Sequence, residues 1–535
     1  MKTIWHIAFV CLAALAPARS FTDDFVAATP AQPLPGDAAV ALAKINASAL
    51  SAHVHFLASP ALEGRGLGSR GLDAAAEYTA AMLRLAHISP LAESYFQTVP
   101  LRRIADVSGR LVVEQKPGSA GPSRSFRLGA DFALARQPPR AITAPVVFVG
   151  YGIRDDKLGR DDYRGLEVRG AIVVALAGVP AEAEWRQPEV QARYDPPDVA
   201  DRWDTKIETA HALGAVAFFG IENDWDAGAQ STKMTAETPY FLSSETAEPG
   251  PTTLVRVSPS LGDALLAPAH LDHSTARRAG GRVLADVSVS LQVTADQSPT
   301  QSRNVVGVIP GAPAGHPDQA VIIGAHLDHL GRAGGTMFPG ADDNASGVSA
   351  LIEIAKSLAS LPSQPQRTVI IIFWTGEEAG ELGSGFYVRH PLWPLAHTEA
   401  YLNLDMIGHP WTLEEIRKLV VSSGLPGGEA FLAGVRPMEF VEPGLLPRAP
   451  GIEAALRRAA SATGLALHLD RTDGIHGASD YREFARARVP FVRFFGNFFP
   501  SYHQHGDTAD ALDAMQVERV ARLVFVTAWT IAYLP

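Results

Sequence analysis

Short apolar runs alternate with amphipathic segments from Val305 to the end of the chain. The runs at 320–324, 368–374, 400–404 and 489–495 are rich in β-branched and aromatic residues and are bounded by turn residues. This alternation is typical of buried parallel strands that are connected by helices. We therefore predict an α/β fold, with a mostly parallel sheet flanked by helices.

The chain before this region has a different pattern. Apolar residues at helical spacing over 46–86, interrupted by a Gly-rich turn, predict two helices. Short β-rich runs such as 144–150 then predict a mixed β-rich domain over 132–280. We expect this domain to be inserted into the α/β domain, which would consist of 21–131 and 281–535.

Potential metal ligands follow three of the predicted strands. His326 follows the first strand, Glu378 the second and Asp405 the third. Because the carboxyl ends of parallel strands meet at one edge of a sheet, we expect these side chains to share a crevice. Two more segments offer ligands of the same types, namely the acidic turn at 340–347 and the loop that carries His503.

The donor types favour a pair of divalent ions. Three carboxylates and one bridging hydroxide would balance the four positive charges of two such ions. A water molecule between the ions loses its proton near neutral pH and becomes a nucleophile. The mixture of imidazole nitrogen and carboxylate oxygen favours zinc, with cobalt or manganese as alternatives, over an all-oxygen calcium or magnesium site.

The ligands lie in motifs that occur in the order His-x-Asp, Gly-Ala-Asp-Asp-Asn-Ala-Ser-Gly, Glu-Glu, Asn-Leu-Asp-Met and Tyr-His-x-x-x-Asp-Thr. This ordered set resembles the M28 family of zinc aminopeptidases, over about 46–135 and 300–535. The resemblance implies a zinc-exopeptidase type of fold, two zinc ions and peptide substrates. The inserted domain at 132–280 resembles a protease-associated (PA) domain.

The resemblance also assigns the metal ligands. It implies that His326 and Asp405 hold one ion. It implies that Glu378 and His503 hold the other. Asp342 would then bridge the two ions.

Residues beside the ligands receive supporting roles from the same resemblance. Glu377 matches the general base of the family. Tyr502 matches a residue that helps to polarise the substrate carbonyl. Asp328 matches a carboxylate that orients the imidazole of His326.

Other polar residues near the motifs were weighed as well. Asp343 directly follows the predicted bridge and could itself be the bridge, although the family pattern favours Asp342. Asp507 and Thr508 are expected to fix the last loop through turn and capping hydrogen bonds. The remaining histidines are interpreted as structural, rim or ligand-supporting residues: His329, His409, His476 and His505.

The sequence also departs from the family pattern near the expected substrate pocket. It has Ser479-Asp480-Tyr481 where many relatives have Ser-Asp-His, and Gln504-His505 where they often have Thr-Pro. These departures affect substrate specificity more than the metal ligands. The Pro- and Gly-rich stretch 434–450 is expected to be a long surface loop.

The N-terminus and the overall charge restrict where the chain can act. Residues 1–20 have a positive end, a short apolar core and small residues before the expected cleavage point, which predicts a signal peptide. Cys11, the only cysteine, lies in that segment, so no disulfide is expected in the mature chain. The formal net charge of -11 argues against nucleic acid as a partner. We expect a periplasmic or extracellular protein without a stable membrane anchor, and the oligomeric state is left open.

The function that follows is an exported, metal-dependent aminopeptidase that acts through a metal-bridging hydroxide. A carboxypeptidase or dipeptidase on a related two-metal scaffold is the main alternative, but its inserted domain would come later in the chain. A glutaminyl cyclase would use one metal and would lack the early insertion. A receptor-like protein without activity is a further alternative, although every ligand position is filled.

Overall fold

The computed structural model describes residues 24–115, 123–134, 141–196, 202–223, 225, 240–243, 252–333, 335–472, 474–475 and 479–534. The predicted signal peptide, Cys11 and His476 lie outside the described residues. Among the helices that are described, none is both long enough and apolar enough to cross a lipid bilayer.

A central sheet forms the core of the larger domain. Across this sheet the strands follow the order Phe96–Gln115, Arg282–Ile309, Arg367–Trp374, His316–His326, Thr398–Asp405, Phe491–Phe495 and Phe440–Leu445. Consecutive strands from Arg367–Trp374 to Phe491–Phe495 are parallel. The prediction of a mostly parallel sheet flanked by helices is therefore confirmed.

Alternate residues of the central strands enter two different cores. Ile323, Ile371 and Leu402 face a large core that also receives the long C-terminal helix. Ile322 and Ile370 face a smaller core on the opposite side of the sheet. This two-residue alternation follows from the pleat of a strand, and burial on both faces explains why the strands are continuously apolar.

Several helices begin at a residue whose side chain accepts hydrogen bonds from free backbone amides. Asn46 accepts from the amide of Ala49, and Asp513 accepts from the amides of Met515 and Gln516. The α-helices are Gly36–Lys44, Ala47–Leu57, Arg70–Leu85, Pro188–Tyr194, Asp204–Ala212, Pro259–Leu266, Gly347–Ala359, Leu382–Arg389, Leu413–Ser423, Gly428–Gly434, Pro450–Thr463, Tyr481–Arg486 and Ala514–Tyr533.

Two long antiparallel strands, Phe96–Gln115 and Arg282–Ile309, run from the central sheet into the inserted domain. The other strands are Phe25–Val26, Ser89–Pro90, Arg124–Arg127, Phe132–Leu134, Ala141–Phe148, Arg154–Asp155, Arg160–Asp161, Ile172–Leu176, Ala217–Ile221, Tyr240–Leu242, Thr253–Val257, Arg332–Ala333, Thr336–Met337, Ala466–His468 and Asp470–Arg471.

The inserted domain has a core of its own around its β-rich sheet. Val146, Val174 and Phe219 lie in this core. So do Leu111 and Leu291, which belong to the two long strands and lie outside 132–280. The packing unit is therefore wider than the predicted segment, because the connecting strands continue into it.

The stretch 434–450 is not a long surface loop, so that prediction was wrong. Its residues Phe440–Leu445 form a buried strand that pairs antiparallel with Phe491–Phe495. Pro443 lies in this strand opposite Phe494. Proline and glycine within the segment concealed its apolar character, since both residues are depleted in strands.

Candidate metal centre

The first cluster of candidate ligands lies at the carboxyl edge of the parallel strands. His326 and Asp405 are the last residues of their strands, which are adjacent in the sheet. The His326 Nε2 atom lies 3.1 Å from Asp405 Oδ1 and 3.3 Å from Asp343 Oδ1. All three residues belong to one group that could hold a metal ion.

A second cluster shares Asp343 with the first. The His503 Nε2 atom lies 3.1 Å from Asp343 Oδ2 and 3.3 Å from Glu378 Oε2. The two oxygen atoms of Asp343 therefore face two different imidazoles, one in each cluster. This arrangement is the one that a bridging carboxylate requires.

Asp342, the predicted bridge, lies in neither cluster. Its Oδ1 atom accepts a hydrogen bond of 2.7 Å from the amide of Gly408. Its Oδ2 atom is 3.8 Å from His409 Nε2 and has no hydrogen-bond partner among the described residues. Asp343, and not the predicted Asp342, therefore faces both clusters, because the irregular backbone of the turn at 341–346 directs the two adjacent side chains differently.

The acidic turn is held in place from the last loop of the site. The Asp507 carboxylate accepts hydrogen bonds from the backbone amides of Asp342 and Asp343, at 2.8 and 3.1 Å. Asn344 donates to the carbonyl oxygen of Leu404 and so connects the turn to the strand that carries Asp405. Asp507 therefore joins two segments of the site, in addition to any role within its own loop.

Asp328 has a different contact from the one that the sequence predicts. Its carboxylate accepts hydrogen bonds from the backbone amides of Glu377 and Glu378, at 3.1 and 3.3 Å. The His326 Nδ1 atom instead lies 3.2 Å from the main-chain oxygen of Asp328. The Asp328 side chain thus positions the Glu377-Glu378 turn, and its backbone contacts the imidazole.

Glu377 lies on this turn beside both clusters but belongs to neither. Burial raises the pKa of Glu377 well above its ordinary value, and the nearby charge of His326 only partly offsets that increase. The Asp405 carboxylate raises the pKa further. A carboxylate in these surroundings gains a proton more readily than an exposed one.

Tyr502 stacks on the imidazole of His503, with ring centroids 3.9 Å apart. Burial raises the pKa of Tyr502 above its ordinary value, and the charges of Asp343 and Glu378 increase the shift. The phenol therefore remains protonated at neutral pH and can donate a hydrogen bond. Phe498 packs against Tyr502 and is 61% exposed, so an apolar surface borders the site.

His329 is a residue of the site whose contact the sequence did not specify. Its Nδ1 atom lies 2.6 Å from Glu378 Oε1, and its side chain is fully buried. The residue follows the His-x-Asp motif directly, which is the one sequence signal that could have drawn attention to it.

The residues of the two clusters fit a pair of zinc ions. Two ligands of a tetrahedral zinc ion with bonds of about 2.0–2.1 Å lie about 3.3 Å apart. The four distances from the Nε2 atoms of His326 and His503 to the carboxylate oxygens of the two clusters are close to that value, at 3.1 to 3.3 Å. Although burial lowers the pKa of His503, the Glu378 and Asp343 carboxylates raise it to about 10, so the site favours positive charge.

Fold and site together define an α/β scaffold with a candidate two-metal centre at the carboxyl edge of its sheet. Residues 304–528 match the model of peptidase family M28. This segment of the chain is similar to peptidase family M28.

Relatives with aminopeptidase names cover different shares of the chain. The "probable leucine aminopeptidase 2" of Aspergillus oryzae is 38% identical over 125 residues, which are 23% of this chain and 23% of that protein. The "Probable lipoprotein aminopeptidase LpqL" of Mycobacterium tuberculosis is 26% identical over 403 residues, which are 70% of this chain and 65% of that protein. The chain thus spans about a quarter of the length of the first relative.

A solved structure shares the fold over most of its length. The "Aminopeptidase from Aneurinibacillus sp. strain AM-1" superposes with a TM-score of 0.51 at 17% identity. The superposition covers 92% of this chain and 95% of that chain. At this identity the likeness concerns the fold, inserted domain included.

Proposed function

We propose that this chain is a zinc-dependent aminopeptidase that removes N-terminal residues from peptides. The observation that carries the proposal is the pair of imidazole–carboxylate clusters that share Asp343, in a domain that matches peptidase family M28. The aminopeptidase names of the relatives support a free N-terminus as the recognised feature. A carboxypeptidase or dipeptidase remains the alternative that experiment must exclude.

In this proposal each cluster holds one zinc ion. The first ion would be held by His326, Asp405 and one oxygen of Asp343. The second would be held by His503, Glu378 and the other oxygen of Asp343. Bound zinc would supply Lewis acidity that polarises a peptide carbonyl and activates a water molecule at neutral pH.

Glu377 is the proposed general base. Its carboxylate would accept the proton of the attacking water and deliver it to the leaving amine. Two features support this role: Glu377 belongs to neither cluster, and the hydrogen bonds from its turn to Asp328 fix its backbone.

Tyr502 is the proposed donor to the substrate carbonyl oxygen. Its hydroxyl group remains protonated, and its ring is held by stacking on His503. A hydrogen bond to an oxygen that gains negative charge stabilises the transition state more than the ground state.

The inserted domain is proposed to be a PA-like domain that restricts access to the site. Leu242 and Tyr240 of the strand Tyr240–Leu242 pack against Leu382 and Ala379, which follow the Glu377-Glu378 turn. This contact supports a position of the inserted domain beside the Glu377-Glu378 turn. Export through the signal peptide at 1–20 is also proposed. The mass of the N-terminal peptide of the mature chain would test this proposal.

A panel of aminoacyl chromogenic substrates tests the function. Each substrate is prepared with a free and with an acetylated α-amine, and each is assayed with metal-free and with zinc-restored protein. We expect zinc-dependent turnover that acetylation abolishes. Equal cleavage of both forms would reject an aminopeptidase, and zinc binding without turnover of any substrate would favour a receptor-like protein.

A further inference from the structure

His329 lies in a buried space that is available because residue 340 is a glycine. Its side chain is fully buried, and its backbone amide donates a hydrogen bond of 3.2 Å to the carbonyl oxygen of Arg65. A Cβ atom at Gly340, where φ is +61°, would lie 2.5 Å from His329 Cγ. Any larger residue at position 340 would therefore collide with the ring.

The imidazole of His329 contacts one oxygen of Glu378, and His503 faces the other. His329 Nδ1 is 2.6 Å from Glu378 Oε1, whereas His503 Nε2 is 3.3 Å from Glu378 Oε2. The Glu378 carboxylate thus lies between two imidazoles, with one oxygen directed at each.

His329, Asp343 and Glu378 form a group that could hold a metal ion, but the distances favour His329 as a hydrogen-bond donor over a metal ligand. Atoms that bind one tetrahedral zinc ion lie about 3.3 Å apart, as the His503 contact does. The 2.6 Å contact of His329 is shorter and corresponds to a hydrogen bond. From Asp343 Oδ2, the other oxygen of this cluster, His329 Nδ1 is 3.7 Å distant.

The other ring nitrogen of His329 supports the same interpretation. Its Nε2 atom is buried and has no hydrogen-bond partner among the described residues. A neutral imidazole carries one proton, which is more stable on the nitrogen that has an acceptor. The proton therefore belongs on Nδ1, where it is donated to Glu378.

We propose that His329 is a positioning residue for the second zinc ion. Its Nδ1–H group holds Glu378 Oε1 and so keeps Oε2 directed toward His503 and Asp343. This inference rests on the metal centre of the proposed function, but it concerns metal affinity and not peptide cleavage. Residues that hold a metal ligand in this way typically change the metal affinity about 10- to 100-fold.

Zinc titration of metal-free protein against a chromophoric chelator tests the proposal. His329→Leu removes the donor, whereas His329→Asn keeps an N–H group close to the position of Nδ1. We expect His329→Leu to weaken one of two zinc sites about 10- to 100-fold and to leave the other unchanged. His329→Asn should restore the affinity, and His397→Leu, the same change at an exposed histidine, should have no effect.

Several outcomes would overturn the proposal. Unchanged affinity of both sites in His329→Leu would exclude a positioning role. An equal loss in His329→Leu and His329→Asn, with a changed visible spectrum of the cobalt-substituted proteins, would make the ring a ligand instead of a donor. Thermal unfolding of the metal-free variants checks that they are folded. If His329→Leu does not fold, His329→Asn decides the question. A weakened zinc site in folded His329→Asn would then overturn the proposal.

The titration separates this inference from the proposed function. Wild-type protein that shows the expected zinc pattern but cleaves no aminoacyl substrate would refute the aminopeptidase and retain the role of His329. Wild-type protein that cleaves substrates, together with a His329→Leu variant of unchanged zinc affinity, would support the aminopeptidase and refute the role of His329.

Discussion

Adjacent residues of this protein have sharply different environments. Asp343 faces both imidazole clusters, whereas Asp342 accepts a hydrogen bond from Gly408 and is directed away from them. Glu378 belongs to a cluster, and Glu377 does not. At these positions the direction of a side chain, more than its type, determines its role.

Asp343→Asn should remove most of the bound zinc from both sites. The bridging position serves two ions, and an amide is neutral and offers only one oxygen atom. Asp342→Asn is the matched control, because it changes the neighbouring carboxylate in the same way. Metal analysis after dialysis should show a large loss in the first variant and a much smaller loss in the second. An equal loss in both would count against Asp343 as the bridge.

Glu377→Gln should lower turnover about a hundredfold to ten-thousandfold, which is the usual contribution of a general base. Glutamine has nearly the same size but cannot accept the proton. Both zinc ions should be retained and the KM value should change little. Wild-type turnover in this variant, or inactivity that is explained by lost zinc, would require another base.

Lys206 gives a pH-dependent prediction outside the metal centre. Burial lowers the pKa of Lys206 from 10.5 to about 7, although its ammonium group donates to the carbonyl oxygen of Gly178. Between these two pH values the unfolded chain binds a proton that the folded chain does not. The stability that depends on Lys206 therefore falls as the pH decreases from about 10.5 to about 7 and is constant below that range.

Lys206→Met cannot bind this proton, so the variant should gain stability relative to wild type as the pH is lowered from 10 to 7. Urea unfolding at several pH values measures the difference. Lys44→Met, a change at an exposed lysine, should show no such trend. A difference between Lys206→Met and wild type that is constant with pH would contradict the burial of a neutral amine.

At the scale of elements, the site depends on segments that are tied together by backbone hydrogen bonds. The buried Arg65 guanidinium donates to carbonyl oxygens at the end of helix Ala47–Leu57, after strand His316–His326 and before the acidic turn. Burial lowers the pKa of Arg65 to about 10, so it remains charged at neutral pH. One side chain thus fixes three elements around the clusters.

Arg65→Lys should destabilise the protein and weaken zinc binding together. A lysine has the charge but cannot reach all the carbonyl oxygens that the planar guanidinium contacts. Each buried carbonyl that loses its donor costs about 1–3 kcal/mol. Thermal unfolding with and without zinc measures both effects, and Arg70→Lys, at an exposed arginine, is the control. Wild-type stability in Arg65→Lys would show that water replaces the lost contacts.

At the scale of the whole molecule, the inserted domain and the central sheet share two long strands and an apolar contact. Leu242 of the inserted domain is fully buried against Leu101 and Leu382 of the larger domain. Arg486 and Glu208 add an ion pair of 3.5 Å between the two domains, although both side chains are partly exposed. The inserted domain is therefore fixed beside the Glu377-Glu378 turn.

This position predicts a limit on substrate length. Dipeptides should be cleaved with a higher kcat/KM than long peptides with the same N-terminal residue. Leu242→Ala, which weakens the apolar contact between the domains, should reduce the difference. An aminoacyl chromogenic substrate serves as the control for intact chemistry. Equal kcat/KM values for dipeptides and long peptides in wild type would show that the inserted domain does not restrict access to the site.

The sequence by itself determined the α/β architecture and most of the candidate ligands. Continuous apolar strands must be buried on both faces, and parallel strands expose their carboxyl ends at one edge, so His326, Glu378 and Asp405 had to lie close together. The local pattern was sufficient because these residues follow regular strands.

Only the tertiary structure decided the direction of side chains on irregular backbone. The turn at Asp343, with φ of -104° and ψ of 91°, has no repeating geometry, so the sequence could not show which of two adjacent aspartates faces the clusters. The contacts of Asp328 and His329 were hidden for the same reason. The strand Phe440–Leu445 was concealed because its pairing with Phe491–Phe495, a long-range interaction, compensates for its unfavourable proline.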